Sequence, residues 1–67
     1  MNHSQIKRDV AALRALADRF KMSIPATIRA AIASALVTSA AATKAGDMSG
    51  AIAALESARN LLDSFVA

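Results

Sequence analysis

Residues 30–43 read AAIASALVTSAAAT, fourteen consecutive positions without a charge in a chain of 67. Such a run must lie inside a fold, cross a membrane or meet another surface. It falls short of the ~20 apolar residues that span a bilayer, and it carries Ser34, Thr38, Ser39 and Thr43. No membrane span is therefore expected. A chain of this length makes at most one domain, and a domain that small buries too little surface to enclose the run on all sides.

Composition sharpens the problem. Hydrophobic residues make up 55% of the chain, too many for intrinsic disorder, but eighteen of them are alanine. The bulky residues left for a core are few. Small domains in this position lean on disulfides, a metal or another subunit. The chain has no cysteine, which removes disulfides and thiolate metal sites. Association is the remaining supplement, so a homodimer or a complex with another protein is expected. The opening MNHSQIKRDV places charges where the apolar core of a secretory signal would begin. A soluble, cytoplasmic protein is expected. Net charge is +3; residues 1–29 hold six Lys/Arg against two Asp, and residues 30–67 hold two against three acids.

Hydrophobic spacing predicts an all-α fold of three helices, over about residues 5–21, 24–45 and 48–66. In the first, Ile6, Val10, Leu13, Ala17 and Phe20 recur at spacings of four and three, one face of a helix. Ser4 is a suitable N-cap, and Asp9 interrupts the apolar stripe. In the second, Ser23 can cap and Pro25 then sits in the first turn. Gly46 is suited to a left-handed position after its end. Asp47 caps the third helix, where the positive end of the helix dipole favours a carboxylate. The short link Ala45-Gly46-Asp47 predicts a tight antiparallel hairpin of helices two and three, assembled as a dimeric bundle. In the third helix Ala51, Leu55, Ala58, Leu62 and Phe65 share one side; Ile52, Leu61 and Val66 widen it enough to touch two neighbours. Arg59 stands three residues after Glu56 and four before Asp63, spacings that suit a surface ion-pair cluster.

The second helix carries three lanes. Ile28, Ile32 and Leu36 form a core arc, while Arg29, Ala40 and Lys44 face water. Thr27, Ala31, Ser34, Thr38, Ala41 and Ala45 form a lane of small residues on which another helix could pack at short distance. Alanine is the best helix former, so such a helix would form even without a partner. The thin core and the absence of charge between Arg29 and Lys44 favour the contact lane.

Little in the chain suggests catalysis. There is one His, no Cys, Tyr or Trp, and only two glycines, Gly46 and Gly50, so no phosphate-cradling loop exists. The five acids form no close pair on one helix face. No enzyme activity, metal or cofactor is expected. Met1-Asn2-His3 has the spacing of an amino-terminal Cu(II) or Ni(II) site, but a solvent-exposed terminal His is the simpler reading. Lys7, Arg14 and Lys21, seven apart, line one edge of helix one, with Arg8 and Arg19 on the opposite edge. Such a row can hold phosphates or an acidic partner, or simply flank the apolar stripe with packed stems.

LADRFKMSIPATIRAAI, residues 16–32, resembles the helix-turn-helix segment of bacterial transcription regulators. Ala17 matches the small residue of the first helix, Phe20 and Met22 the apolar positions around the turn, and Ser23 the cap of the recognition helix. The resemblance implies Thr27 and Arg29 near DNA, with Lys21 and Ser23 on phosphates. It departs at Lys21, where the turn has Gly, and in the lack of Arg, Lys, Asn or Gln between Arg29 and Lys44 to read base edges. AGDMSGAIAALESARNLL resembles the turn and A-helix of a tetratricopeptide repeat, but a single copy makes no array.

The first reading is a non-enzymatic adaptor, secretion-type co-chaperone or inhibitor. It would act by helix packing through Ala31, Ser34, Thr38, Leu61, Phe65 and Val66. The alternative is a dimeric DNA-binding regulator using Lys7, Arg14, Lys21 and Arg29.

Overall fold

A computed structural model describes residues 2–65 of the chain. It holds three helices: α1 (His3–Arg19), α2 (Ala26–Lys44) and α3 (Met48–Asp63). No strand occurs among the described residues. Val66, one of the expected contact residues, lies outside them.

The starts and stops of the helices follow local chemistry. Asn2, not Ser4, caps α1: its side chain accepts from the Gln5 N–H at 2.9 Å, and the Gln5 side chain accepts from the Asn2 N–H at 2.9 Å. This reciprocal pair satisfies two otherwise free donors. α1 stops at Arg19, two residues earlier than its spacing suggests. Phe20 leaves the helix and Lys21–Ser23 form a 3-10 turn. Ser23 does not cap α2. Proline disfavours helical geometry in the residue before it, and Ile24 is extended at φ −106°, ψ 123°. The helix therefore cannot reach back to Ser23, and Pro25 itself becomes the capping position without a side-chain cap.

The link between α2 and α3 behaves as expected and does more. Gly46 adopts φ +83°, a conformation in which a Cβ is strained. The Gly46 N–H donates to the Thr43 carbonyl at 3.1 Å and the Asp47 N–H to the Ala42 carbonyl at 2.8 Å. This pair of bonds is the Schellman closure of a helix end. The Asp47 carboxylate then accepts from the Gly50 N–H at 3.0 Å and opens α3. One residue thus ends one helix and begins the next.

The core gathers Ile6, Val10 and Leu13 from α1, Ile24 from the connection, Ile32 and Leu36 from α2, and Ala51, Leu55, Ala58 and Leu62 from α3. α2 and α3 share the most extensive contact, with α1 packed on both. The closeness of α2 to α3 rests on small groups. Ser39 is fully buried, and its hydroxyl donates to the Ala51 carbonyl at 2.8 Å; Thr43, also buried, donates to the Ser39 carbonyl at 2.9 Å. Each buried hydroxyl is thereby satisfied, which removes the desolvation penalty of an unpaired one. Arg59 departs from expectation. Its guanidinium lies 3.5 Å from Asp9 of α1 rather than pairing with Glu56 or Asp63. Asp9 is tolerated in the α1 stripe because its side chain stays 34% exposed, at the edge where α3 brings up Arg59.

Candidate functional site

Four residues of α2 are buried, Ile32, Leu36, Ser39 and Thr43, at spacings of four, three and four. They form one narrow face. Ile28, Ala35 and Ala42 are half-buried beside it. The rest of the helix is exposed, including every member of the small-residue lane: Thr27, Ala31, Ser34, Thr38, Ala41 and Ala45. Val37, with 60% of its surface exposed, sits on the same outer side. Thr38 donates its hydroxyl to the Ser34 carbonyl at 2.9 Å, so this polar group is satisfied within the helix. Between Arg29 and Lys44 the exposed arc carries no charge. By length and composition alone α2 could cross a membrane: its most apolar 18-residue window has mean hydropathy 1.3, and only 22% of that window is buried. Counting the uncharged run alone understates this, because the helix as formed extends over Arg29 and Lys44 as well.

Leu61 is half-buried on α3, and Phe65 is half-buried in the turn that follows the helix. Arg59 marks the edge of α3 that abuts α1. Leu61, two residues on, lies about 200° around the helix, on the edge away from α1. Ala31 and Thr38 occupy the corresponding edge of α2, beyond Ala35 and Ala42. By helical period Ala31 and Thr38 share one edge of α2, and Ala54 and Leu61 share one edge of α3; Ala31 and Thr38 are exposed, Ala54 and Leu61 half-buried. Ser34 stands further out on the exposed arc.

The basic residues lie elsewhere. Lys7, Arg14, Lys21 and Arg29 are all exposed. Lys7 borders a groove of about 600 Å³ between α1 and α2, with His3, Ile6, Val10, Ala40, Thr43 and Lys44. Arg14 continues the Lys7 edge of α1, and Arg29 lies within about 20° of the Ala40 edge of α2. Lys7 and Lys44 thus both line the groove, while Arg14 shares the Lys7 edge of α1 and Arg29 the Ala40 edge of α2. Lys21 sits outside α1, in the 3-10 turn. Thr27 and Arg29 are about 200° apart on α2 and share no face. Met22, at a position that would be apolar and packed in a helix-turn-helix motif, is 92% exposed. Arg19 instead covers the Phe20 ring, 5.6 Å from its centre.

Sequence spacing alone did not single out Ser39 and Thr43, nor the groove. Ser39 and Thr43 do fall in register with Ile32 and Leu36, so the signal was present in the period of the helix. Among the described residues no group of three or more potential metal-ligating side chains gathers, and no carboxylate lines the groove. No protein-family model matches the chain, and no curated protein or solved structure matches it either.

Proposed function

We propose that the chain is a soluble, cytoplasmic protein-interaction module in which α2 and α3 act as an antiparallel hairpin that pairs with a second copy, or with a helical partner, through its uncharged outer face. The observation that supports this is the exposure of α2. Its most apolar window is only 22% buried although it has no charge over fourteen residues. The chain already exposes 4260 Å², close to the roughly 4,000 Å² of a folded monomer of its mass. The single chain thus has about the surface usual for its mass, and the uncharged outer face of α2 forms part of it. Small side chains there allow helix backbones to approach closely. Ala31, Ser34, Thr38, Leu61 and Phe65 are the proposed contacts, with Val66 following in sequence. A role as adaptor, co-chaperone or inhibitor follows from covering a partner's surface. A membrane-spanning role is less well supported, because α2 packs its core face on two helices that carry charge, and alanine supplies much of its hydropathy.

Sedimentation tests the reading. Wild-type protein is expected to sediment as a dimer, and Ser34→Glu as a folded monomer. Burying an unpaired carboxylate in the contact would weaken it by roughly 3–5 kcal/mol, about two or more orders of magnitude in Kd. Identical sedimentation of the two proteins would remove the contact face.

A second reading draws on the exposed Lys7, Arg14, Arg29 and Lys44: an anionic partner such as duplex DNA bound along the α1–α2 side. Its mark is steep salt dependence. Under this reading Arg14→Glu and Arg29→Glu weaken DNA binding directly, and Ser34→Glu weakens it only indirectly, through assembly.

A further inference from the structure

A groove lies between the first two turns of α1 and the last turn of α2. Its floor is Ile6, Val10 and Thr43, all buried. The Thr43 hydroxyl is already committed to the Ser39 carbonyl, so it offers the groove no unpaired donor. Ala40 makes an exposed wall too small to fill the space. The rim is cationic from both sides: Lys7 from α1 and Lys44 from α2, with His3 between the helix ends. The only ion pair among the described residues is Arg59–Asp9, so neither lysine is neutralised by a neighbour. α1 has no acidic residue in its first turn, and its positive end opens beside His3.

Two further properties limit the occupant. A volume of about 600 Å³ lies in the range of small-molecule sites. Along α1 the groove runs from His3 to Val10, about 10 Å at 1.5 Å per residue. That is short for a partner helix and adequate for a compact ligand.

We infer that this groove binds a small organic anion, an anionic oxygen headgroup held between Lys7 and Lys44 with a short apolar body laid over Ile6, Val10 and Ala40. The shared chemistry is that of a medium-chain carboxylate or of a phosphate ester on a small apolar group. The site is separate from the proposed dimer face, since Ala40 and Ser34 lie about 120° apart around α2.

Octanoate is a suitable probe, followed by the amide and methyl NMR signals of the intact chain. Octanoate is expected to bind saturably in the range below about 10 mM and to move the signals of Lys7, Val10, Ala40 and Lys44. The double variant Lys7→Glu/Lys44→Glu should lose about tenfold or more in affinity, because two favourable charges become two repulsive ones. Both residues are exposed, so helical circular dichroism should not change. Ala40→Phe fills the wall and should abolish binding while sedimentation stays as in wild type. 1-Octanol should bind at least about tenfold more weakly than octanoate, since it brings no charge. Inorganic phosphate, which lacks the apolar body, should not saturate. The inference is overturned if octanoate fails to saturate, if octanol or inorganic phosphate binds as well, or if the double variant retains wild-type affinity. Ser34→Glu should leave octanoate binding unchanged, so failure here and failure of the dimer face are distinct results.

Discussion

α1 and α2 are of similar length, 17 and 19 residues, and each is held by a narrow buried face: Ile6, Val10 and Leu13 in one, Ile32, Leu36, Ser39 and Thr43 in the other. Their outer surfaces are of opposite kinds. α1 presents Lys7, Arg8, Arg14, Asp18 and Arg19 to water. α2 presents alanine, serine, threonine and Val37, with charges only at Arg29 and Lys44. Nothing in the packing demands this difference. Lysine and glutamate are nearly as good helix formers as alanine, and an exposed position on α2 would accept them without touching the core. The fold needs three or four anchors from each helix, and the remaining surface is free to serve another purpose. The outer side of α1 is suited to water. That of α2 carries no charge between Arg29 and Lys44.

Neighbouring residues on α2 give the largest test of this contrast. Leu36 is buried and Val37 is exposed. Leu36→Ala should cost about 2–5 kcal/mol, a large share of the stability of so small a domain. Val37→Ala should change the stability of the isolated chain by less than about 0.5 kcal/mol. Urea midpoints at high dilution measure both. If the loss from Val37→Ala grows with protein concentration, the outer face is covered in the assembly; an equal loss from both at high dilution would mean that the assignment of inner and outer faces is wrong.

Matched charge insertions sharpen the comparison further. Ala31→Glu on α2 should shift the sedimentation equilibrium towards monomer by roughly 2 kcal/mol or more, as a desolvated carboxylate would. Ala15→Glu, on the exposed side of α1, should leave it unaltered. Equal shifts from both would show that added negative charge, not position, controls assembly.

Smaller effects concern the joints. Gly46→Ala should destabilise the chain by about 1–2 kcal/mol, since a Cβ is strained at φ +83°. The Asp9–Arg59 contact is long at 3.5 Å, and its side chains are 34% and 48% exposed. Asp9→Asn should therefore cost no more than about 0.5 kcal/mol, and less in high salt. Thermal melts in low and high salt measure both.

Much of this architecture can be read along the chain, because its determinants are local. Ile6, Val10 and Leu13, and Ala51, Leu55, Ala58 and Leu62, stand at helical spacings and are the residues that become buried. Gly46 and Asp47 carry turn and cap chemistry in their side chains, or in the lack of one. Ser4 misleads as a cap because residue type alone favours it; the partner three residues on decides, and Asn2 has Gln5 where Ser4 has Lys7. Pro25 shortens α2 through the residue it follows, an effect visible only when Ile24 is considered with it. Ser39 and Thr43 look like surface residues by polarity and are core residues by period. The Asp9–Arg59 contact joins residues fifty positions apart, and the groove needs the ends of two helices side by side. No window on the sequence contains either one, so three-dimensional packing alone reveals them.

The double duty of Asp47 limits how copies of this chain could trade parts. Opening the link between α2 and α3 forfeits two helix terminations together, so handing α3 to a neighbour would break both at once. The connection after α1 holds only a 3-10 turn and the buried Ile24. Any exchange of segments should therefore start with α1, while α2 and α3 travel as a unit. Hydrogen exchange in the native protein should register this as amides of α1 opening ahead of those flanking Gly46.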